Sequence, residues 1–277
     1  MNHNPEEIIR LRGIKSERTG VLAVSKRQIE YARYPASKVG LPVIVLLHEG
    51  LGCVSMWRDF PERLAAQTGA EVFAYSRPGY GGSSPVELPR PVEYMHVEAL
   101  EVLPWVLDAA DIGECLLVGH SDGGSIALIS AVDALKSHMR GLVLLAAHVF
   151  NEAITVANIE AATAAYASTY MKEKLARHHG DNVDVAFSGW SGVWLSPGFR
   201  DWNIESCLSR ITTPMLVIQG EDDIYGTLAQ VDAIRGGVAA RIETEVWPAC
   251  GHSPHREVPE RLLARIDIFL QALDQVV

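Results

Sequence analysis

Residues 42–47 read Pro-Val-Ile-Val-Leu-Leu, an apolar run long enough for a strand and too short for a helix. Such a run suits a parallel strand covered on both faces. Comparable runs recur at 71–75, 115–118, 141–146 and 214–218, and 241–246 reads as one further strand that completes the alternation. Helical patterns fall between and after them, at 57–68, 92–110, from the small residues after Ser121 through Lys136, at 227–235 and at 257–272. This alternation predicts an α/β fold, a mostly parallel sheet with helices on both faces. Residues 21–24 and 28–33, joined by a polar turn, predict an opening hairpin at an antiparallel edge, for about eight strands in all.

Residues 148–211 break the rhythm. Residues 151–177 are helical and alanine-rich, and 187–202 hold an aromatic cluster with Gly and Pro. Lying between two predicted sheet strands, the segment reads as a cap inserted above the carboxyl edge, where ligands of open α/β sheets bind. The expected organisation is a core at 1–147, a cap at 148–211 and the rest of the core at 212–277. The cap offers Tyr166, Tyr170, Phe187, Trp190, Trp194 and Trp202. Such a cluster serves first as cap core, but Trp190, Trp194 and His148 are the candidates for the substrate wall. Apolar rings suit an acyl or aromatic portion better than a sugar or phosphate. Arg200 is read as a surface arginine, with pairing to a substrate carboxylate as its other use.

Composition narrows the function classes. With 48% apolar residues the chain can bury a large core. Its 24 basic and 34 acidic residues give a net charge of −10, which argues against nucleic acid or an anionic membrane as partner. The expected partner is a small-molecule substrate, and the sequence leaves a homodimer open. No run is long and apolar enough for a membrane span, and the polar start, MNHNPEEIIRLRG, lacks a signal core. Cys53, Cys115, Cys207 and Cys250 show neither C-x-x-C pairing nor zinc spacing, so they read as apolar fillers in a reducing cytoplasm, with no metal site.

The chemistry concentrates in Gly119-His120-Ser121-Asp122-Gly123. A strand precedes the serine and a helix follows it, the context a nucleophile elbow requires. The bland alternative is a glycine-rich turn that caps a helix. A serine hydroxyl needs a base. His252, in the loop after the last strand, is placed to supply it; His255 is the nearest competitor, read as a solvent-facing residue at a helix start. An imidazole needs an orienting carboxylate, and Glu221, Asp222 and Asp223 stand in the loop after the 214–218 strand. Two amides should meet the oxyanion, those of Asp122 and Gly50, with Leu51 second to Gly50.

With these residues in place, the chain resembles the α/β-hydrolase superfamily over nearly its whole length. The resemblance rests on the His48 loop, Ser76-Arg-Pro-Gly-Tyr-Gly-Gly-Ser-Ser84, the elbow, Gly220–Asp223 and Gly251-His252. It implies a hydrolase without metal or organic cofactor. It also selects Asp223, three residues after Gly220, as the acid, with Asp222 as alternative, and the order Ser121, Asp223, His252 is the one this fold uses. Two departures stand out. Glu49 follows His48 where a glycine is usual, and it is expected to point away from the oxyanion or pair with a base. Asp122 follows the nucleophile. It can serve the helix N-terminus or, as a similar Ser-Asp-Gly-Gly elbow implies, select substrates bearing a cationic group.

The expected reaction is hydrolysis of a carboxylic ester of a small, largely apolar substrate through an acyl-enzyme, with activity falling in acid as His252 protonates. Lactone hydrolysis shares the machinery. Carbon–carbon hydrolysis of aromatic ring-cleavage products is the other enzymatic reading, although His120 and Ser253 replace the asparagine and tryptophan of those relatives. A non-catalytic ligand receptor on the same scaffold is the reading of another class.

Overall fold

The computed structural model describes residues 18–132 and 135–274. The polar start of the chain lies outside these residues, and the helix expected through Lys136 crosses two residues that also do. Eight strands form one sheet: β1 (Thr19–Val24), β2 (Arg27–Tyr34), β3 (Val43–Leu47), β4 (Val72–Tyr75), β5 (Cys115–His120), β6 (Met139–Leu145), β7 (Met215–Gly220) and β8 (Ile242–Trp247). Their spatial order is β1-β2-β4-β3-β5-β6-β7-β8. The hairpin pairs β2 antiparallel to β4, and every pairing from β4 to β8 is parallel.

Burial on both faces explains the unbroken apolar runs. Successive strand side chains point to opposite faces. Val45 and Leu47 of β3, Leu117 of β5 and Val217 of β7 join one core; Ile44, Leu46, Leu116, Val118, Leu216 and Ile218 join the other. Helices α1 (Phe60–Thr68) and, late in the chain, α10 (Pro259–Asp274) cover the second core through Phe60, Leu64, Leu262, Ile266 and Phe269. Between them in sequence, α2 (94–109) and α3 (Asp122–Ser130) cover the first through Met95, Leu103 and Ile126. Helix α2 runs as one element with a single π turn at Glu98–Val102, and α3 stops at Ser130.

Between β6 and β7 the chain forms α4 (Ala153–Ser168), α5 (Met171–His179), α6 (Val183–Trp194) and the short α7 (Glu205–Leu208). The expected single helix over 151–177 is therefore two, broken where Thr169 turns extended (φ −129°, ψ −178°). Phe187 stacks on Tyr166 (centroids 3.8 Å apart), and Phe199 stacks on Trp202 (5.0 Å), so these rings pack on one another. His179, at the end of α5, ties the segment to the sheet. Its Nε2 donates to the Leu51 carbonyl and its Nδ1 accepts from the Gly81 amide, each at 3.0 Å. Helix α8 (Leu228–Gly237) follows β7, and α9 (Pro254–Glu257) precedes α10. Among the described residues no helix is long and apolar enough to cross a membrane.

The turn after β5 is tight enough to demand glycine. A Cβ on Gly123 would overlap the Leu47 carbonyl oxygen, and one on Gly119 the Gly123 carbonyl oxygen. Both collisions are with backbone, which cannot swing away. Gly123→Ala is expected to lose about 1–3 kcal/mol, the usual cost of overpacking. Thermal unfolding checks this, since an unchanged Tm would mean that the end of β3 gives way freely.

Candidate active site

Parallel strands place their carboxyl ends along one edge, and the predicted residues gather there. Gly50 follows β3, Ser121 follows β5, His148 follows β6, Asp223 follows β7 and His252 follows β8. Ser121 sits at φ 52°, ψ −118°, a left-handed backbone that a non-glycine residue adopts only under constraint. Its amide donates to the Leu145 carbonyl at 2.8 Å, which pins the turn. The Asp122 amide opens α3, a nine-residue helix whose N-terminus favours negative charge.

His252 Nδ1 lies 2.9 Å from both carboxylate oxygens of Asp223. Asp223 is held in turn by the Tyr225 amide (2.7 Å) and by Gln219 Nε2 (2.7 Å). Burial alone would raise its pKa, but the hydrogen bond and charge of His252 and the Tyr225 amide outweigh burial and leave it below the usual carboxylate range. A carboxyl depressed in this way stays ionised at neutral pH, and its stabilisation is lost as pH falls through the folded-state value. Glu221 and Asp222, its neighbours, are exposed. The structure thus joins Asp223, not Asp222, to His252. Ser121 and His252 share the wall of one cavity.

That cavity, about 110 Å³, is lined by Glu49, Gly50, Leu51, Ser121, Asp122, His148, Thr155, Ile159, Trp190, Trp194, Tyr225 and His252. Trp190 and Trp194 of α6 do reach it, while Tyr170 is exposed and Arg200 faces solvent. Trp190 lies against the loop after β3, where a Cβ on Gly50 would overlap its indole. His148 is buried, with Nε2 3.1 Å from the Tyr225 carbonyl. Burial, then the charge of His252, lowers its pKa, so it faces the cavity as a neutral ring.

The two departures in sequence have partners inside the protein. Glu49 lies 3.5 Å from His120 Nδ1 and 3.5 Å from Arg256 Nη2. Burial would raise its carboxyl, but His120, His255 and Arg256 hold it well below the ordinary range. Its expected pairing with a base is what the structure contains. Asp122 is fully buried; Tyr94 OH donates to its Oδ2 at 2.6 Å, and Arg77 Nη2 lies 3.8 Å away.

His255 corrects the solvent-facing reading. It is 4% exposed, its ring 4.7 Å from Trp57 and 4.9 Å from His120. His120 is buried too and lies 2.6 Å, through Nε2, from the His252 carbonyl. Tyr94, Thr155, Ile159 and Tyr225 were not singled out from sequence. Tyr225, two residues after Asp223, was the one within reach of a motif.

A model of the alpha/beta hydrolase family matches residues 44–265. Among solved structures, VinJ superposes with a TM-score of 0.70 at 24% identity, covering 92% of this chain and 98% of that one. A proline iminopeptidase of Mycobacterium smegmatis gives 0.69 at 19% identity, covering 93% and 99%. Est816, described as an N-acyl homoserine lactone degrading enzyme, gives 0.65 at 21% identity, covering 90% and 100%. At these identities the likeness is one of fold. No curated protein matches the chain. The family match spans most of the sheet and every loop that lines the cavity, and on it the chain belongs to the alpha/beta hydrolase family.

Proposed function

We propose that this hydrolase cleaves carboxylic esters of small, largely apolar substrates through an acyl-enzyme on Ser121. The observation that carries the reading is His252, whose Nδ1 lies 2.9 Å from both Asp223 carboxylate oxygens and which lines the same cavity as a strained Ser121. Ser121 Oγ attacks the carbonyl carbon while His252 Nε2 takes its proton. Asp223 holds Nδ1–H and stabilises the imidazolium. The oxyanion meets the Gly50 and Asp122 amides. Collapse returns the proton to the leaving alcohol. Water, deprotonated by His252, then cleaves the acyl-enzyme and frees the acid and Ser121.

Residues 148–211 act as a cap in this reading, with Thr155, Ile159, Trp190 and Trp194 forming the roof. The cavity is small and walled in part by Leu51, Ile159, Trp190 and Trp194, apolar groups that suit a small, largely apolar substrate. A lactone, an ester closed on itself, follows the same steps. The test is a series of p-nitrophenyl esters of increasing acyl length. Turnover should be highest for the short acyl groups and collapse for decanoate. Rising activity toward decanoate would reject the small-substrate assignment.

Tyr94 and Arg77 both meet the buried Asp122 carboxylate at Oδ2, and in this reading they take up its charge in place of a cationic substrate group. Matched neutral and amine-bearing esters should show a kcat/KM ratio that Asp122→Asn does not alter. A preference for the amine lost in Asp122→Asn would restore cation selection.

A further inference from the structure

We propose that Arg77 is a positioning residue for the oxyanion site, acting with His48 on the peptide unit that carries the Gly50 amide. The inference rests on the reading of Ser121 as nucleophile. Arg77 is buried, its side chain 1% exposed. Its guanidinium is spent on backbone: Nη1 donates to the His48 carbonyl, and Nη2 to the Glu49 carbonyl at 3.0 Å. The Glu49 carbonyl takes two further donors, the Gly52 amide at 3.1 Å and His48 Nδ1 at 2.7 Å.

The His48 tautomer follows from its other nitrogen. The Arg77 amide donates to His48 Nε2 at 3.0 Å, so Nε2 is the acceptor and Nδ1 carries the hydrogen. Burial, then the charge of Arg77, keeps this imidazole neutral. Backbone and side chain of Arg77 therefore act together: one sets the tautomer of His48, the other joins His48 on the same carbonyl.

The Glu49 carbonyl and the Gly50 N–H belong to one planar trans peptide and point in opposite directions. Fixing the carbonyl with three donors fixes the direction of the Gly50 amide, in a residue that lines the cavity. Hydrogen bonding at the carbonyl also polarises the amide and strengthens it as a donor. The guanidinium reaches the second donor as well, since the Asp122 carboxylate 3.8 Å away belongs to the residue whose amide opens α3. A buried ion pair is a weak source of stability compared with packed apolar groups. Aiming two amides is the use that fits its geometry.

The test measures p-nitrophenyl acetate turnover in wild type and in Arg77→Met, Arg77→Lys, His48→Asn and His48→Gln, each checked for folding by circular dichroism and melting. Folded Arg77→Met should lose about 10- to 100-fold in kcat with KM within about threefold, because a donor aimed at the oxyanion acts in the transition state. Arg77→Lys should recover part of the loss, keeping charge without the fork. Asparagine places its amide nitrogen near Nδ1 and glutamine near Nε2, so His48→Asn should retain most of kcat and His48→Gln should fall about tenfold or more. Affinity for a trifluoromethyl ketone, whose adduct carries the oxyanion, should drop in step with kcat, while binding of the matching carbinol stays constant.

Folded variants with wild-type kcat, or losses shared equally by KM and carbinol binding, overturn the proposal. If Arg77→Met fails to fold, the His48 pair decides by the same criterion. A wild type that neither turns over the ester nor takes a fluorophosphonate on Ser121 overturns the nucleophile reading, and this proposal with it.

Discussion

Replacing Ser121 with alanine is expected to abolish covalent labelling by a fluorophosphonate and to lower ester turnover by a factor of about 10⁴ to 10⁶. Intact-mass measurement reads the first effect as one adduct in wild type and none in the variant. Initial rates read the second. The effect is large because Ser121 supplies the covalent bond itself, and His252 and Asp223 have nothing to activate without it. Folding should survive, since the change removes one oxygen while the residue stays at the same turn and its amide still donates to the Leu145 carbonyl. An adduct that persists in Ser121→Ala would place the nucleophile elsewhere. No adduct on folded wild type would favour a ligand receptor on this scaffold.

Asp223→Asn is expected to lower kcat by about 10⁴, nearly as much as loss of the nucleophile, although the shape of the side chain is kept. Both carboxylate oxygens are engaged, by His252 Nδ1 at 2.9 Å and by the Tyr225 amide and Gln219. An asparagine there presents N–H to His252 when its oxygen stays with the Tyr225 amide. His252 then accepts at Nδ1 and carries its hydrogen on Nε2, where it cannot take a proton from Ser121. Asp222→Asn serves as the control. Its side chain is exposed and its kcat should stay within about twofold of wild type, the usual insensitivity of such surface positions. Steady-state kinetics on both variants separate the two acids, and a larger loss in Asp222→Asn would reverse their assignment.

Much of this was legible before any coordinates. Parallel strands buried on both faces leave apolar runs without polar interruption, so β3 to β7 stood out at 42–47, 71–75, 115–118, 141–146 and 214–218. The hairpin was read from 21–24 and 28–33, and β8, which carries Glu243 and Glu245 and is mostly half-buried, from its place in the alternation at 241–246. The loops after β3, β5, β7 and β8 meet at one edge because the strands between them run parallel, which made Gly50, Ser121, Asp223 and His252 neighbours by topology alone. What escaped depended on contacts between distant segments. Arg77 stood in a recognisable loop, but nothing local says that its guanidinium crosses to His48 and Glu49. His255 begins a short helix, a position that reads as exposed, yet Trp57 and His120 enclose it. The break at Thr169 lacked a proline or glycine signal. There the threonine hydroxyl bonds the Ala165 carbonyl at 2.7 Å and receives the Met171 amide at 3.2 Å, offering the backbone an alternative to the helix.

The contact between Trp190 and Gly50 has a consequence for how such a protein can diverge. Ser121, Asp223 and His252 are encoded by loops of the sheet, whereas Thr155, Ile159, Trp190 and Trp194 come from a separate stretch of chain. Drift in that stretch can reshape what is accepted without disturbing the reacting groups, except at this one seam. While position 190 holds an indole, position 50 is confined to glycine; once a small residue arrives at 190, a side chain at 50 becomes affordable. Lineages descending from this chain should therefore change the two positions in that order, with the large ring lost first.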